Sequence, residues 1–172
     1  MLSNDNKTAA VTFSEIVFKA SNGNGDLEPE DFALSFSGGR AKLKSATPTS
    51  VSKNGTTFTL GLDVQGTGTG KEVLAVVPKE SSIYDNAGNV ALSTQTTNTG
   101  KTKDLAGPII LSITPKSDNT ALIVEFDEET FTSPNSRAIL DTSDITLSLD
   151  GGNAVLTDPK PTSFARDGAS YT

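Results

Sequence analysis

Acidic and amide side chains at the ends of predicted strands and in the loops between them are the best candidate ligands in this sequence. The candidate set consists of Glu15, Asp31, Asp85, Asn89, Asp104, Asp127, Glu128 and Asp144. Calcium takes about 6–8 oxygen ligands, mostly carboxylates and carbonyls. The sequence therefore predicts calcium where these loops converge, at the joint between two domains. The alternative is that these residues only stabilise turns, because Asp and Asn side chains also bond to nearby backbone.

Catalytic chemistry is restricted by the composition. The chain has no Cys and no His, which excludes thiol nucleophiles, His-based triads and zinc sites built on these residues. Glu15 with Asp31, or Asp127 with Glu129, would supply the acid pair of a glycosidase, but no cleft and no aromatic platform is evident around them. We therefore predict that the protein is not an enzyme.

Charge and hydropathy exclude two further classes of partner. The net charge of -7 opposes binding to nucleic acid and to anionic membranes. No apolar stretch is long enough to span a membrane, and no signal peptide is visible. We predict no nucleic-acid partner and no membrane insertion. The sequons at Asn6 and Asn54 are candidate glycosylation sites.

The elements that would position the acidic residues are repeated along the chain. Residues 11–15 and 124–128 share one pattern, and a shift of 113 positions, the distance from Phe13 to Phe126, aligns the two copies without a gap. Of the 57 pairs from position 3 to position 59, 20 are identical. A repeat of this length is a whole domain, so we predict domains at 1–102 and 103–172.

The phase of the repeat predicts that both copies are incomplete. Residues 108–113 form a strand before the second copy, and no counterpart precedes the first copy. We therefore expect the first copy to lack its first strand and the second copy to be truncated. Either the chain is a window cut from a longer protein, or residues from neighbouring repeats or from identical subunits arranged head to tail complete the two copies by donating a strand.

Apolar residues at a period of two predict short strands throughout. The predicted strands span 8–13, 31–37, 40–45, 51–53, 57–64, 72–77 and 90–96. Gly38-Gly39 predicts one hairpin and Asn54-Gly55 another, one helical turn is expected at 27–30, and residues 98–103 are expected to be a linker. About seven strands per repeat favour an all-β, immunoglobulin-like sandwich.

Four motifs in this order resemble a known family. They are Val-Thr-Phe-Ser-Glu at 11–15, Asp-Phe at 31–32, Gly-Gly at 38–39 and Asp-Asn-Ala-Gly-Asn at 85–89. Together they resemble the bacterial immunoglobulin-like, cadherin-like repeats of large surface adhesins and S-layer proteins. The resemblance implies an extracellular structural module that gives reach and stiffness, and calcium at its joints is part of that expectation. The alternatives are a module that binds a surface glycan or protein, and an accessory domain of a secreted enzyme.

Overall fold

The structure is a computed structural model that describes residues 1–134 and 137–172. The chain is all-β, as the sequence predicts, and is built from several small antiparallel sheets. Among the described residues the helical content is one 3-10 turn, Pro29–Asp31. The chain forms two compact units, residues 1–106 and residues 107–172.

Unit 1, residues 1–106, contains ten strands. They are β1 Thr8–Thr12, β2 Val17–Phe18, β3 Phe32–Ser37, β4 Lys42–Leu43, β5 Val51–Asn54, β6 Thr57–Gly61, β7 Val64–Gln65, β8 Val73–Pro78, β9 Tyr84–Asp85 and β10 Thr99–Lys101. Two three-stranded sheets have the orders β1-β6-β5 and β10-β8-β3, and two ribbons pair β2 with β9 and β4 with β7.

The two three-stranded sheets of unit 1 share one apolar core. Alternation along β8 buries Leu74 and Val76, because successive side chains of a strand point to opposite faces. They join Phe32 of β3 and Phe58 of β6 in one cluster of buried residues. The rings of Phe13, Phe32 and Phe58 lie 5.7–6.5 Å apart between centroids. Unit 1 is therefore packed as two layers around aromatic rings.

The hairpin at Asn54-Gly55 is confirmed. Strand β5 extends to Asn54, which pairs with Thr57 of β6. Gly55 occupies the turn with a φ of 62°, a left-handed conformation that glycine adopts without steric cost.

The predicted hairpin at Gly38-Gly39 is wrong in its pairing. Both glycines have positive φ and turn the chain, but β4 pairs with β7 and not with β3. The Oε1 atom of Glu72 accepts hydrogen bonds from the amides of Arg40 and Ala41, at 2.8 and 2.9 Å. These two amides therefore bond to a side chain and not to β3.

The predicted strand at 90–96 is also wrong. Val90 makes only an isolated bridge to Tyr84, and Leu92 is 66% exposed. Strand β10 lies instead in the predicted linker, where Thr99–Lys101 pair with β8. Strand β8 pairs with β3 along one edge, and the polar residues Thr99–Lys101 pair with its other edge.

The described residues of unit 2, 107–134 and 137–172, form four strands in one sheet. They are β11 Ile110–Pro115, β12 Leu122–Phe126, β13 Arg166–Asp167 and β14 Ser170–Tyr171, in the order β11-β12-β14-β13. Tyr171 is buried against Phe126 and Phe164, with ring centroids 5.7 and 4.9 Å away.

Backbone contacts of unit 1 recur in unit 2 at a spacing of 113 residues. The pair Val11↔Phe58 corresponds to Val124↔Tyr171, and both pairs lie in antiparallel ladders. The amide of Leu34 bonds to the carbonyl of Ala46 at 2.7 Å, and Leu147 bonds to Pro159 at 2.7 Å.

Turn conformations recur at the same spacing. Asn6 and Asn119 have φ values of 58° and 57°, and Gly55 and Gly168 have φ values of 62° and 61°. Non-glycine residues rarely adopt positive φ, and Asn does so more readily than most. Equivalent positions thus share unusual local geometry as well as sequence.

Candidate functional site

A groove of about 1000 Å³ runs along β1 in unit 1. One wall is β1 and the residues that follow it to Glu15. The other wall consists of residues of β8 and of the segment from Val90 to Gly100. The floor reaches core side chains, including Val17 and Phe32. The groove is therefore lined both by apolar core side chains and by polar side chains.

Glu15, Asp85 and Asn89 all line this groove. The pairing of β2 with β9 brings the two loops together, with Val17 opposite Asp85. The Asp85 carboxylate accepts hydrogen bonds from the Asn89 side chain at 2.7 Å and from the backbone amides of Asn89 and Ala87 at 2.8 Å. These hydrogen bonds lower the pKa of Asp85 below its ordinary value, and the bond from the Asn89 side chain contributes most. The contacts of Asp85 are those of a turn-forming residue.

Asp31 is buried and closes the 3-10 turn. Its Oδ2 accepts from the amide of Glu28 at 2.7 Å, and its own amide donates to the Glu28 carbonyl at 3.0 Å. Asp144 of unit 2 makes the same two contacts with Asp141, at 2.9 and 3.1 Å, but is exposed. Both carboxylates thus satisfy backbone amides.

The remaining acidic candidates lie at other places in their units. Asp104 forms an isolated bridge with Thr69 of unit 1, and its Oδ1 accepts from the amide of Ala106 at 3.3 Å. Asp127 follows β12, and its Oδ1 accepts from the amide of Ile109 at 2.8 Å. Glu128 is half-buried beside it.

Within residues 1–134 and 137–172, no three Asp or Glu side chains are grouped so that they could hold a metal ion. The groove unites Glu15, Asp85 and Asn89, whereas Asp31 is not among its lining residues. Calcium binding stays a prediction.

The two sequons lie in different surroundings. Asn6 is buried, and its side-chain amide donates to the Lys103 carbonyl at 2.8 Å while its oxygen accepts from the Lys103 amide at 2.7 Å. A glycan on Nδ2 would require this contact to be lost. Asn54 is exposed at the end of β5.

Glu72 is the ionisable residue that sequence reasoning missed. Its side chain is fully buried, and it accepts hydrogen bonds from Arg40 and Ala41, from the amide and hydroxyl of Thr69 at 2.9 and 3.0 Å, and from the Thr102 hydroxyl at 2.7 Å. Burial raises the pKa of Glu72, but the bonds from Thr102, Ala41 and Thr69 outweigh it and set the pKa at about 2. Since its partners lie 30–32 residues away or in a polar turn, no local pattern marks it.

Comparisons of the chain with protein-family models, curated proteins and solved structures found no match. In the described part of the chain, no helix has the length and apolar character needed to cross a membrane.

Proposed function

We propose that this chain is a non-catalytic structural segment of an extracellular surface protein, built from tandem immunoglobulin-like repeats that give reach and stiffness. The observation that carries the proposal is the recurrence of backbone contacts at a spacing of 113 residues. Ladder pairs, turn hydrogen bonds and positive-φ residues all recur at that spacing. Repeating a whole domain along a chain is the usual way in which a surface protein gains length.

Domain repetition is supported further by the contacts that recur between residues of different type. Glu28 and Asp141 occupy the same place in the two acidic turns, although their side chains differ. Ala46 and Pro159 present the same carbonyl to Leu34 and Leu147. Shared geometry with divergent sequence is what duplication followed by drift produces.

The location is tested with antibodies raised against the folded chain. We expect them to label intact cells that produce the protein, and mild external protease to remove the label. Labelling only after permeabilisation would contradict the surface location. A cytoplasmic protein of the same cells, stained in parallel, shows whether the cells are intact.

Calcium at the joint is tested separately, by thermal melting of the full chain in millimolar calcium and in excess chelator. A calcium-dependent joint predicts a melting temperature that rises with calcium concentration, because an ion bound only to the folded state stabilises it by mass action. Equal melting temperatures in the two buffers would contradict calcium binding. An Asp85→Asn chain, melted in the same two buffers, is the matched variant in unit 1.

A further inference from the structure

A glycine-rich loop of unit 1 lies between β7 and β8. Its sequence is Gly66-Thr67-Gly68-Thr69-Gly70, and we call it the glycine loop. Such a composition is typical of a flexible turn, because glycine restricts the backbone least. Here, however, Thr69 is buried, and its amide and its hydroxyl donate to the Glu72 carboxylate at 2.9 and 3.0 Å. These buried bonds hold the glycine loop in one conformation.

The last residues of unit 1 bind to this loop. We call residues 102–106 the exit segment, because the chain leaves unit 1 there. The Gly68 carbonyl accepts hydrogen bonds from the amides of Leu105 and Ala106, at 2.8 and 3.0 Å. Asp104 forms an antiparallel bridge with the next residue of the glycine loop. The backbone of the exit segment is therefore bound along the loop.

Asn6 supplies a second set of bonds to the exit segment. Its side-chain amide donates to the Lys103 carbonyl at 2.8 Å, and its side-chain oxygen accepts from the Lys103 amide at 2.7 Å. Both backbone polar groups of Lys103 are therefore bonded to one buried side chain. Asn6 lies 97 residues before Lys103, so the contact joins the exit segment to a distant part of unit 1.

Gly68 is the position at which this contact requires glycine. A Cβ there would lie 2.5 Å from Nδ2 of Asn6 and 2.9 Å from the Lys103 carbonyl oxygen, and real Cβ atoms do not come so close to such atoms. Gly68 does not have a positive φ, so its backbone conformation is open to other residues. The glycine loop therefore lacks a side chain at the place where the exit segment lies against it.

The chain is bound again shortly after the exit segment. In unit 2 the Ile109 amide donates to Oδ1 of Asp127 at 2.8 Å, and the Asp127 amide donates to the Ile109 carbonyl at 3.0 Å. Ala106 is the last residue bonded to the glycine loop, so two residues, Gly107 and Pro108, separate the two bound segments. Proline fixes its own φ at about −65° and restricts the residue before it. The connection between the repeats is therefore short.

We propose that the glycine loop is a docking site for the exit segment, and that this docking removes the flexibility that a polar linker would give to the connection between repeats. Domains joined by a flexible linker move relative to each other by default, so an array gains stiffness when its connections are bound. The inference rests on the domain repetition of the proposed function. Its tests measure the mobility of one segment, whereas antibody labelling of intact cells measures location, so the two can fail independently.

NMR relaxation of the unmodified full chain tests the docking directly. A rigid backbone gives an order parameter of about 0.85, and a flexible one falls below about 0.6. We expect the amides of residues 102–106 to have the same order parameters as those of β8, because both are bound within unit 1. Order parameters of the exit segment clearly below those of β8 would overturn the proposal.

Trypsin digestion of the full chain tests the bonds from Asn6. The Lys103 side chain is exposed, so cleavage after it depends on how often the exit segment opens. Asn6→Gly removes both side-chain bonds and still accepts the positive φ of 58° at that position. We expect cleavage after Lys103 to become about tenfold faster or more, since two hydrogen bonds are lost. Asn119→Gly is the matched control, because Asn119 has a φ of 57° in unit 2; equal rates in the two variants would overturn the proposal.

A second pair of variants tests the glycine loop. Gly68→Ala places a methyl group against the exit segment, whereas a Cβ at Gly107 meets nothing within 4 Å. We expect Gly68→Ala to speed cleavage after Lys103 and Gly107→Ala to leave it unchanged. Cleavage after Lys53 in β5 reports on unfolding of unit 1 as a whole and should change little in both variants. If Gly68→Ala speeds cleavage after Lys53 and Lys103 equally, the exit segment opens only with the whole unit, and the proposal is wrong.

Discussion

At the scale of single residues, Glu72 has the strongest influence on unit 1. It is a fully buried carboxylate whose oxygens accept bonds from three separated parts of the chain, at Arg40 and Ala41, at Thr69 and at Thr102. A buried charge is costly unless hydrogen bonds satisfy it. Here the donors are backbone amides and hydroxyls, so Glu72 fixes the paths of the loops around it.

The pKa of Glu72 predicts loss of stability in acid. The folded-state pKa of about 2 lies below the ordinary value of 4.5, so the ionised form is stabilised by folding. This contribution is fully present above pH 4.5 and is lost as pH falls from 4.5 toward 2; it amounts to about 3 kcal/mol. Urea unfolding at pH 7 and pH 3 measures the larger part of it, about 2 kcal/mol, because pH 3 lies between the two pKa values.

Glu72→Gln is the matched variant for that titration. At pH 7 we expect it to lower the free energy of unfolding by about 3 kcal/mol, because an amide group would face donors that need an acceptor. The variant should also lose the extra acid sensitivity that Glu72 confers, whereas Glu80→Gln, an exposed change, should leave both unchanged. Identical pH profiles for the wild type and Glu72→Gln would contradict this role.

Gly39 gives a second prediction at this scale, with Gly55 as its control. Both have positive φ, 55° and 62°, where a side chain costs about 1–2 kcal/mol. A Cβ at Gly39 would also overlap the Glu72 carboxylate, whereas one at Gly55 meets nothing within 4 Å. We expect Gly39→Ala to destabilise unit 1 by at least about 2 kcal/mol more than Gly55→Ala in urea unfolding. Equal losses of stability in the two variants would mean that the loop at Gly39 shifts to make room for the added methyl group.

At the scale of elements, the sequence predicts what local chemistry decides. The Asn54-Gly55 hairpin and the alternation in β3 are set by neighbouring residues, and both are present. The pairing of β4 with β7 depends on Glu72, 31 residues beyond Ala41. Strand β10 contains Gly100 and two polar residues, which do not favour a strand by themselves. It is a strand because it pairs with the free edge of β8. Non-local contacts of this kind leave no periodic signal.

The candidate site shows the same division. Glu15, Asp85 and Asn89 line one groove, whereas Asp31, which the sequence analysis grouped with them, is not among its lining residues. The sequence does not predict that the Asp31 and Asp85 carboxylates accept hydrogen bonds from the backbone. An Asp in a turn can bond to the backbone or bind a ligand, and the local sequence is the same in both cases. The groove itself depends on which edge of β1 is paired, which hydropathy does not reveal.

Hydrogen exchange tests the position of the last strand of unit 1. The amide of Thr102 donates to the Glu72 carbonyl at 3.0 Å, and Gly100 pairs with Leu74 of β8. The amides of residues 92–97 bond to no backbone acceptor in the described chain. We therefore expect the amides of Gly100 and Thr102 to exchange at least about 100-fold more slowly than those of 92–97. Greater protection at 92–97 would restore the strand that the sequence predicted.

At the scale of the whole molecule, the two units differ in how completely they are packed. Unit 1 has two three-stranded sheets that share one core, whereas the described part of unit 2 has one sheet with Ile110, Leu111 and Ile113 exposed. Exposed apolar side chains of a sheet contribute little to its stability, because the hydrophobic effect scales with the apolar area removed from water. The two units should therefore unfold separately.

Calorimetry of the full chain at low concentration tests this difference. We expect two transitions, the lower one from unit 2, and a chain of residues 1–106 should retain the upper transition within a few degrees. Spectroscopic probes should assign them, because Tyr171 is buried in unit 2 and Tyr84 lies in unit 1. One cooperative transition that residues 1–106 cannot reproduce would mean that the units fold as one body.

The buried acceptor of unit 1 also determines which environments the fold withstands. The chain has no thiols, and the Glu72 carboxylate holds together the loops at Arg40, Thr69 and Thr102. In many secreted domains a disulfide has this role. No oxidation step is needed to make this fastening, and reducing agents do not open it. Strong acid does, because a single proton removes the charge on which the three loops depend.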